Sequence, residues 1–215
     1  MTRSGNIILF ISCVLVLGCH QQPKADGLPF YNQPDFTPEW ISPSDAGYKS
    51  IHVIPAFSFT DQDGNTVTEK TVEGKVYVAN FFFTHCGSIC PVMTKNMGKL
   101  QLFFKDNNEV IFLSYSVLPE MDSVPVLKKY AINHGVISGK WHLLTGDKNK
   151  IYTLAKKKYF AGDTVGYYQS GNEFLHTENF ILLDKLRRIR GVYNGTLEFE
   201  MERLKEDMGD LLKEE

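Results

Sequence analysis

Two stretches of the chain are apolar almost without interruption, Lys75 to Phe83 and Glu109 to Val117. A strand wetted on one side alternates apolar with polar residues, so unbroken runs of this length predict strands covered on both faces. Elsewhere the spacing changes to that of a helix. Pro91 to Phe104 sets Val92, Met93, Met97, Leu100, Phe103 and Phe104 at helical intervals, and Ser123 to His134 does the same with Val124, Leu127, Tyr130 and Ala131. His142 to Thr145 predicts a short strand and Lys148 to Tyr159 a helix. Phe180 to Leu183 and Ile189 to Tyr193 predict a closing strand pair, followed by a helix from Leu197. Upstream, Ala56 to Thr60 and Thr66 to Thr68 flank the turn residues Asp63-Gly64-Asn65, which is a hairpin pattern.

Strand, helix, strand, helix, then hairpin and helix is the order of a thioredoxin-like α/β fold. The hairpin stands N-terminal to that unit, and the stretch between Tyr159 and Phe180 is an insertion before the last strand pair. The domain is expected over residues 50–215.

The N-terminus follows a different pattern. Arg3 precedes an apolar run from Ile7 to Leu17, shorter than the roughly 20 residues a membrane-crossing helix needs. The run ends in Leu15-Val-Leu-Gly-Cys19, which resembles a bacterial lipobox. That resemblance implies removal of residues 1–18 as a signal peptide, Cys13 with it, and attachment of diacylglycerol to the Cys19 sulfur. The expectation is a bacterial lipoprotein anchored in the membrane at its periplasmic face, in an extracytoplasmic, oxidising compartment. Residues 19–49 carry Pro23, Pro29, Pro34, Pro38 and Pro43 and are expected to form a tether, with Trp40 and Ile41 as the pair that docks on the domain.

Composition narrows the function. With 43% hydrophobic and 13% aromatic residues, the 215-residue chain can fill one substantial core and is no disordered sequence. Its net charge of −2, with Lys and Arg scattered, lacks the basic stripe of a nucleic-acid binder. Lys156-Lys157-Lys158 is a local exception, expected on a solvated helix face.

Cys86 and Cys90 are then the thiols of the mature chain. They sit in Thr84-His-Cys-Gly-Ser-Ile-Cys-Pro91, between a strand pattern and a helix pattern. Four-residue spacing puts two side chains on one helix face, with Cβ atoms about 5–6 Å apart, so both sulfurs can reach one ion or each other. A helix N-terminus also favours thiolate over thiol.

Thr84 to Pro91, Ser116-Val-Leu-Pro-Glu-Met-Asp-Ser-Val-Pro125, Gly139-Lys-Trp-His-Leu-Leu-Thr-Gly146, Leu175-His-Thr-Glu-Asn-Phe-Ile-Leu-Leu-Asp184 and Gly191-Val-Tyr-Asn-Gly195 together resemble the Sco/SenC family. The resemblance implies a thioredoxin-like domain that binds copper through two cysteines and a histidine and helps assemble the binuclear copper centre of cytochrome c oxidase. Carried over, the metal ligands are Cys86, Cys90 and His176. The partners implied are the copper-accepting subunit of the oxidase and another periplasmic copper chaperone or thiol reductase. Two thiolates and an imidazole suit copper, as Cu(I) or Cu(II), and three donors suit a trigonal Cu(I) site, whereas structural zinc wants a fourth.

The rival is a thiol-disulfide oxidoreductase in which Cys86 and Cys90 cycle through a disulfide, the form expected of the oxidised apo protein. Against it, redox members of this fold usually carry Cys-x-x-Cys and a proline before the facing strand, and His176-Thr-Glu-Asn179 has none. A metallochaperone is therefore expected before an enzyme. His85 is expected to be structural or to support a ligand, Met93 and Met97 to be core, and His52, His134 and His142 to be packing or surface residues. Gly87, Ser88 and Leu118 depart from the family pattern. Leu118 stands where the family frequently has an aspartate.

Overall fold

The computed structural model describes residues 27–162 and 177–214. In chain order its elements are β1 (Phe30–Tyr31), β2 (Pro38–Glu39), a 3-10 turn (Ala46–Ser50), β3 (Ser58–Thr60), β4 (Thr66–Thr68), α1 (Glu69–Val72), β5 (Val76–Phe82), α2 (Cys90–Phe103), β6 (Val110–Ser116), α3 (Val124–His134), β7 (Trp141–Leu144), α4 (Lys148–Lys157), β8 (Asn179–Leu183), β9 (Ile189–Asn194) and α5 (Glu198–Leu211).

Every residue of β5 and β6 is buried, as their unbroken apolar runs require. They pair in parallel within a five-stranded sheet ordered β7-β6-β5-β8-β9, in which β7 is parallel to β6 and β8 is antiparallel to both its neighbours. The two-residue period of a strand then sorts the side chains. Tyr77, Ala79, Phe81, Ile111, Leu113 and Tyr115 enter one apolar layer with Phe57, Phe59 and the Ile151 and Leu154 of α4. Val76, Val78, Phe82, Val110 and Phe112 enter the other, with residues of α2, α3 and α5. Each fully buried aromatic of this set contributes roughly 1.5–3 kcal/mol by leaving water. The fold is the thioredoxin-like α/β arrangement expected, with the hairpin β3–β4 on its N-terminal side.

The exposed edge of β7 is covered by a side chain that imitates a strand. Gln62 donates from Nε2 to Trp141 O at 3.0 Å and accepts from Leu143 N–H at 2.7 Å. Unpaired backbone groups at a sheet edge invite association, and this amide occupies them.

Part of the expected tether proves to be structured. β1 and β2 pair with each other, and Phe30 is buried. Arg190 of β9 reaches out to hold the strap, donating to Leu28 O at 2.6 Å and Pro29 O at 3.1 Å while pairing with Glu214. Phe30 lies over the guanidinium groups of Arg188 and Arg190, at 4.8 and 4.3 Å. Prolines spoil periodicity but not docking, so a proline-rich stretch can still lie against the domain. Trp40 is not the docking residue either, being 54% exposed.

Candidate metal centre

β5 carries the chain from the middle of the sheet into the loop 83–89, and α2 takes it away. Because β5 and β6 are parallel, with Phe82 level with Ser116, the loop lies at the sheet end where β6 also finishes. Spacing alone puts Cys86 and Cys90 on one helix face. In the structure only Cys90 is helical, as the first residue of α2, and Cys86 precedes the helix.

A helix cap brings the sulfurs together. The first N–H groups of a helix need outside acceptors, and Ile89 at the N-cap has none to offer. Cys90 N–H donates instead to Cys86 Sγ at 3.4 Å, while Cys86 N–H donates to Phe83 O at 3.3 Å. Pro91 follows in the first turn, where its missing N–H leaves nothing unpaired.

Both thiols are buried, Cys86 at 9% and Cys90 at 4% exposure, and neither is in a disulfide. Their acidities diverge. Burial raises the pKa of Cys86, but its bond with Cys90 and the N–H groups of Ser88, Cys90 and Ile89 outweigh that and leave it below the ordinary thiol value. Burial, reinforced by the bond to Cys86 and by its charge, pushes Cys90 up to about 12. The first thiolate therefore forms on Cys86, and Cys90 holds its proton.

The loop is fastened from outside the motif by Asp122, a residue without a chemical signature in the sequence. Its fully buried carboxylate accepts from Ser116 Oγ at 2.5 Å, from Thr84 N–H at 3.2 Å and from Thr84 Oγ1 at 2.5 Å. Since the Thr84 hydroxyl gives its one proton to Asp122, its 3.0 Å contact with His85 Nδ1 requires that nitrogen to be the donor. Thus the carboxylate touching the cysteine loop comes from position 122, while Leu118 contributes only backbone groups, donating its N–H to Ser116 Oγ at 3.2 Å and accepting from Met121 and Asp122 N–H at 2.9 Å. On the other side Tyr130 bonds Thr94 of α2 at 2.8 Å and packs 5.6 Å from the Phe82 ring. Burial raises its pKa, and the two sulfurs add to the effect.

The remaining candidates are structural. Met93 and Met97 are fully buried in the core. His52 Nε2 meets Lys158 O at 2.8 Å, His142 Nδ1 meets Asp61 Oδ2 at 2.9 Å, and His134 packs 4.1 Å from the Tyr130 ring. Among the described residues no three His, Cys, Asp or Glu side chains converge as a metal site, and no helix is long and apolar enough to cross a membrane. His176 and Cys19 lie outside the described residues. The antiparallel register of β8 on β5, Ala79 level with Ile181, places the start of β8 at the sheet end that bears the cysteine loop.

The family model for SCO1/SenC matches residues 46–212. The SCO1 protein homolog of Bacillus subtilis (strain 168) is 35% identical over 144 residues, which is 66% of this chain and 74% of that protein. Among solved structures, a SCO1/SenC family lipoprotein from Bacillus anthracis str. Ames superposes with a TM-score of 0.66 at 32% identity, covering 75% of this chain and 96% of the other. BsSco, described as a Sco-family cytochrome c oxidase assembly protein with a disulfide switch, gives 0.64 at 30% identity over 77% of this chain and 96% of its own. ScoI of Bradyrhizobium japonicum, solved with copper bound, gives 0.57 at 26% identity over 75% and 98%. With more than half of its length matched by the family model and its two cysteines seated together at the start of α2, the chain belongs to the SCO1/SenC family.

Proposed function

We propose that this chain binds copper as cargo through Cys86, Cys90 and His176 and delivers it to the copper-accepting subunit of cytochrome c oxidase, assisting assembly of the binuclear centre. It does so as an extracytoplasmic lipoprotein held in the membrane through Cys19. The observation carrying the reading is the pair of buried thiols joined by the Cys90 N–H to Cys86 Sγ bond at the start of α2. Soft sulfur donors fit copper, and two of them leave a coordination shell incomplete. The third donor is assigned to His176, which directly precedes Thr177 in the sequence, at the approach to β8. An open shell suits transfer, because an incoming ligand attaches before the old ones leave. ScoI of Bradyrhizobium japonicum holds copper, and the Bacillus anthracis relative is a lipoprotein, which supports both parts of the proposal.

A second reading has its own observation. A buried Cys86 of lowered pKa beside a Cys90 raised to about 12 is the arrangement of an attacking and a resolving thiol. In that reaction the Cys86 thiolate attacks a partner disulfide and one partner sulfur leaves as thiolate. Cys90 then loses its proton, attacks Cys86 Sγ and releases the second partner thiolate. The partner gains two electrons and the chain keeps the disulfide. The disulfide switch of BsSco keeps this alternative in play.

Anaerobic titration of the reduced full-length chain with Cu(I), beside a disulfide-reductase assay, separates the two. One copper per chain with negligible turnover is expected. Turnover without copper uptake would reverse the assignment.

A further inference from the structure

Away from the cysteines, the hairpin and β7 begin a ladder that stops early. Thr60 and Thr145 exchange N–H···O bonds in both directions, at 3.0 and 2.8 Å. The ladder ends there because the chain leaves Thr145 and turns into α4, with Asp147 as its cap accepting from Lys150 N–H at 2.8 Å. Alternation inside the hairpin identifies the groups left over. Asp61 N–H donates to Asn65 O, so Asp61–Asn65 and Phe59–Val67 are the hydrogen-bonded pairs. Ser58 and Thr60 consequently point their backbone groups away from β4. Thr60 finds Thr145, whereas Ser58 N–H and C=O have no backbone partner among the described residues.

Beside this open edge lies a groove of about 610 Å³ between Pro55–Phe59 and α4. Phe57, Phe59 and Leu154 supply its apolar wall, and among the described residues Lys150 and Lys158 are its charged lining residues. The stretch Lys148 to Lys158 holds five lysines and no acidic residue, and Lys148 pairs with Glu120.

We propose that this groove receives an extended acidic segment of a partner protein, which continues the antiparallel ladder past Thr145 along Ser58. The backbone groups of Ser58 supply the hydrogen bonds, alternate apolar side chains of the segment enter the groove, and its carboxylates meet Lys150 and Lys158. Charge selects this occupant over a second copy of the chain, since self-pairing would set the same lysines against each other. The site is independent of the copper reading and stands or falls without it.

The test uses the full-length chain in mild detergent and, as probe, a fluorescein-labelled hexapeptide alternating glutamate and valine, followed by anisotropy. Saturable binding is expected, with slower hydrogen exchange over residues 56–60 and binding about tenfold weaker for the lysine–valine analogue. Ser58→Pro removes an outward donor at an edge position where proline is tolerated and should weaken binding about tenfold, the loss of one hydrogen bond. Lys150→Glu with Lys158→Glu should exchange the preference, so that the lysine–valine peptide becomes the better ligand. Equal binding of the two peptides, or unchanged affinity in a folded Ser58→Pro protein, would overturn the proposal. So would Ser58-dependent self-association without peptide binding, which would give the edge to a second copy.

Discussion

Replacing Asp122 by alanine tests whether the cysteine loop is held from the β6 side of the sheet. The carboxylate is fully buried and accepts three hydrogen bonds, two from Thr84 and one from Ser116. A bond to a charged acceptor contributes about 1.5–3 kcal/mol, and members of one network do not add fully, so the loss is about 3–5 kcal/mol. Against a total stability of roughly 5–15 kcal/mol that is a large fraction. At about 2–4 °C per kcal/mol for a domain of this size, the melting temperature should fall by roughly 6–20 °C. The site should register the change as well: with Thr84 released, Cys86 two residues on loses its seat, and its alkylation by iodoacetamide should quicken.

Asp122→Asn separates bonding from charge. An amide oxygen in the place of Oδ2 still accepts from Thr84 N–H and Ser116 Oγ, while the amide nitrogen in the place of Oδ1 meets the Thr84 hydroxyl donor to donor. That hydroxyl must turn round, accept from the amide and donate to His85 Nδ1. The expected cost is smaller, about 1–2 kcal/mol, with a change of His85 tautomer visible in its ¹⁵N chemical shifts. Alanine within about 1 kcal/mol of the unsubstituted protein, or asparagine with the His85 tautomer unchanged, would refute the network as described.

Three further outcomes follow from the same contacts. With Cys86 held below the ordinary thiol pKa and Cys90 pushed up to about 12, Cys86 should be alkylated first at every pH from neutral upward in the folded, metal-free protein; peptide mapping showing equal labelling would contradict the ordering. Arg190→Ala strips the strap of its bonds at Leu28 and Pro29 and breaks the Glu214 pair, so trypsin should gain access near Lys49 and stability should drop by about 3–5 kcal/mol; an unchanged digestion pattern would show that the Phe30 contacts suffice. Under the proposed lipidation, Cys19→Ser should move the protein out of the membrane fraction or stall its processing, and membrane retention with a cleaved N-terminus would count against the anchor.

Much of the architecture is legible because β5 and β6 are buried on both faces and say so in unbroken apolar runs. The hairpin is announced by Asp63-Gly64-Asn65, and the helices and strands other than β1, β2 and α1 begin and end within one or two residues of their patterns. What escapes the pattern is tertiary. The strap at 27–50 is structured through Arg188 and Arg190, which read as ordinary polar interruptions of a strand until Asp184, Glu214 and the carbonyls of Leu28 and Pro29 surround them. Asp122 stands within the Ser116–Pro125 motif without a role of its own, and nothing in the sequence announces that Thr84, 38 positions earlier, will supply two of its three donors. The seat of Cys86 did have a signal. A proline ring clashes with the carbonyl four residues before it in a helix, so Pro91 forbids a helical Gly87 and with it the shared helix face that spacing alone suggests.

The register also fixes how the strap and the cysteines are disposed. Arg190 lies near the start of β9, beside Gly191, which is level with Leu182 of β8, itself level with Val78 of β5. From Val78 the strand runs on to Phe82 before the cysteine loop begins, four residues at about 3.3 Å each, or roughly 13 Å along the sheet. Arg190 thus clamps the chain at Leu28 toward the end of the sheet opposite the cysteines. Under the proposed lipidation, the eight residue-to-residue steps from Cys19 to Gly27 span at most roughly 28 Å, so the clamped end is the one kept near the bilayer. Under that proposal, the cysteine end is the one farther along the sheet from the point of attachment. A lipid alone would leave the domain free to tumble; the Arg190 clamp, made of five hydrogen bonds to Leu28, Pro29, Asp184 and Glu214, limits that freedom by shortening the leash.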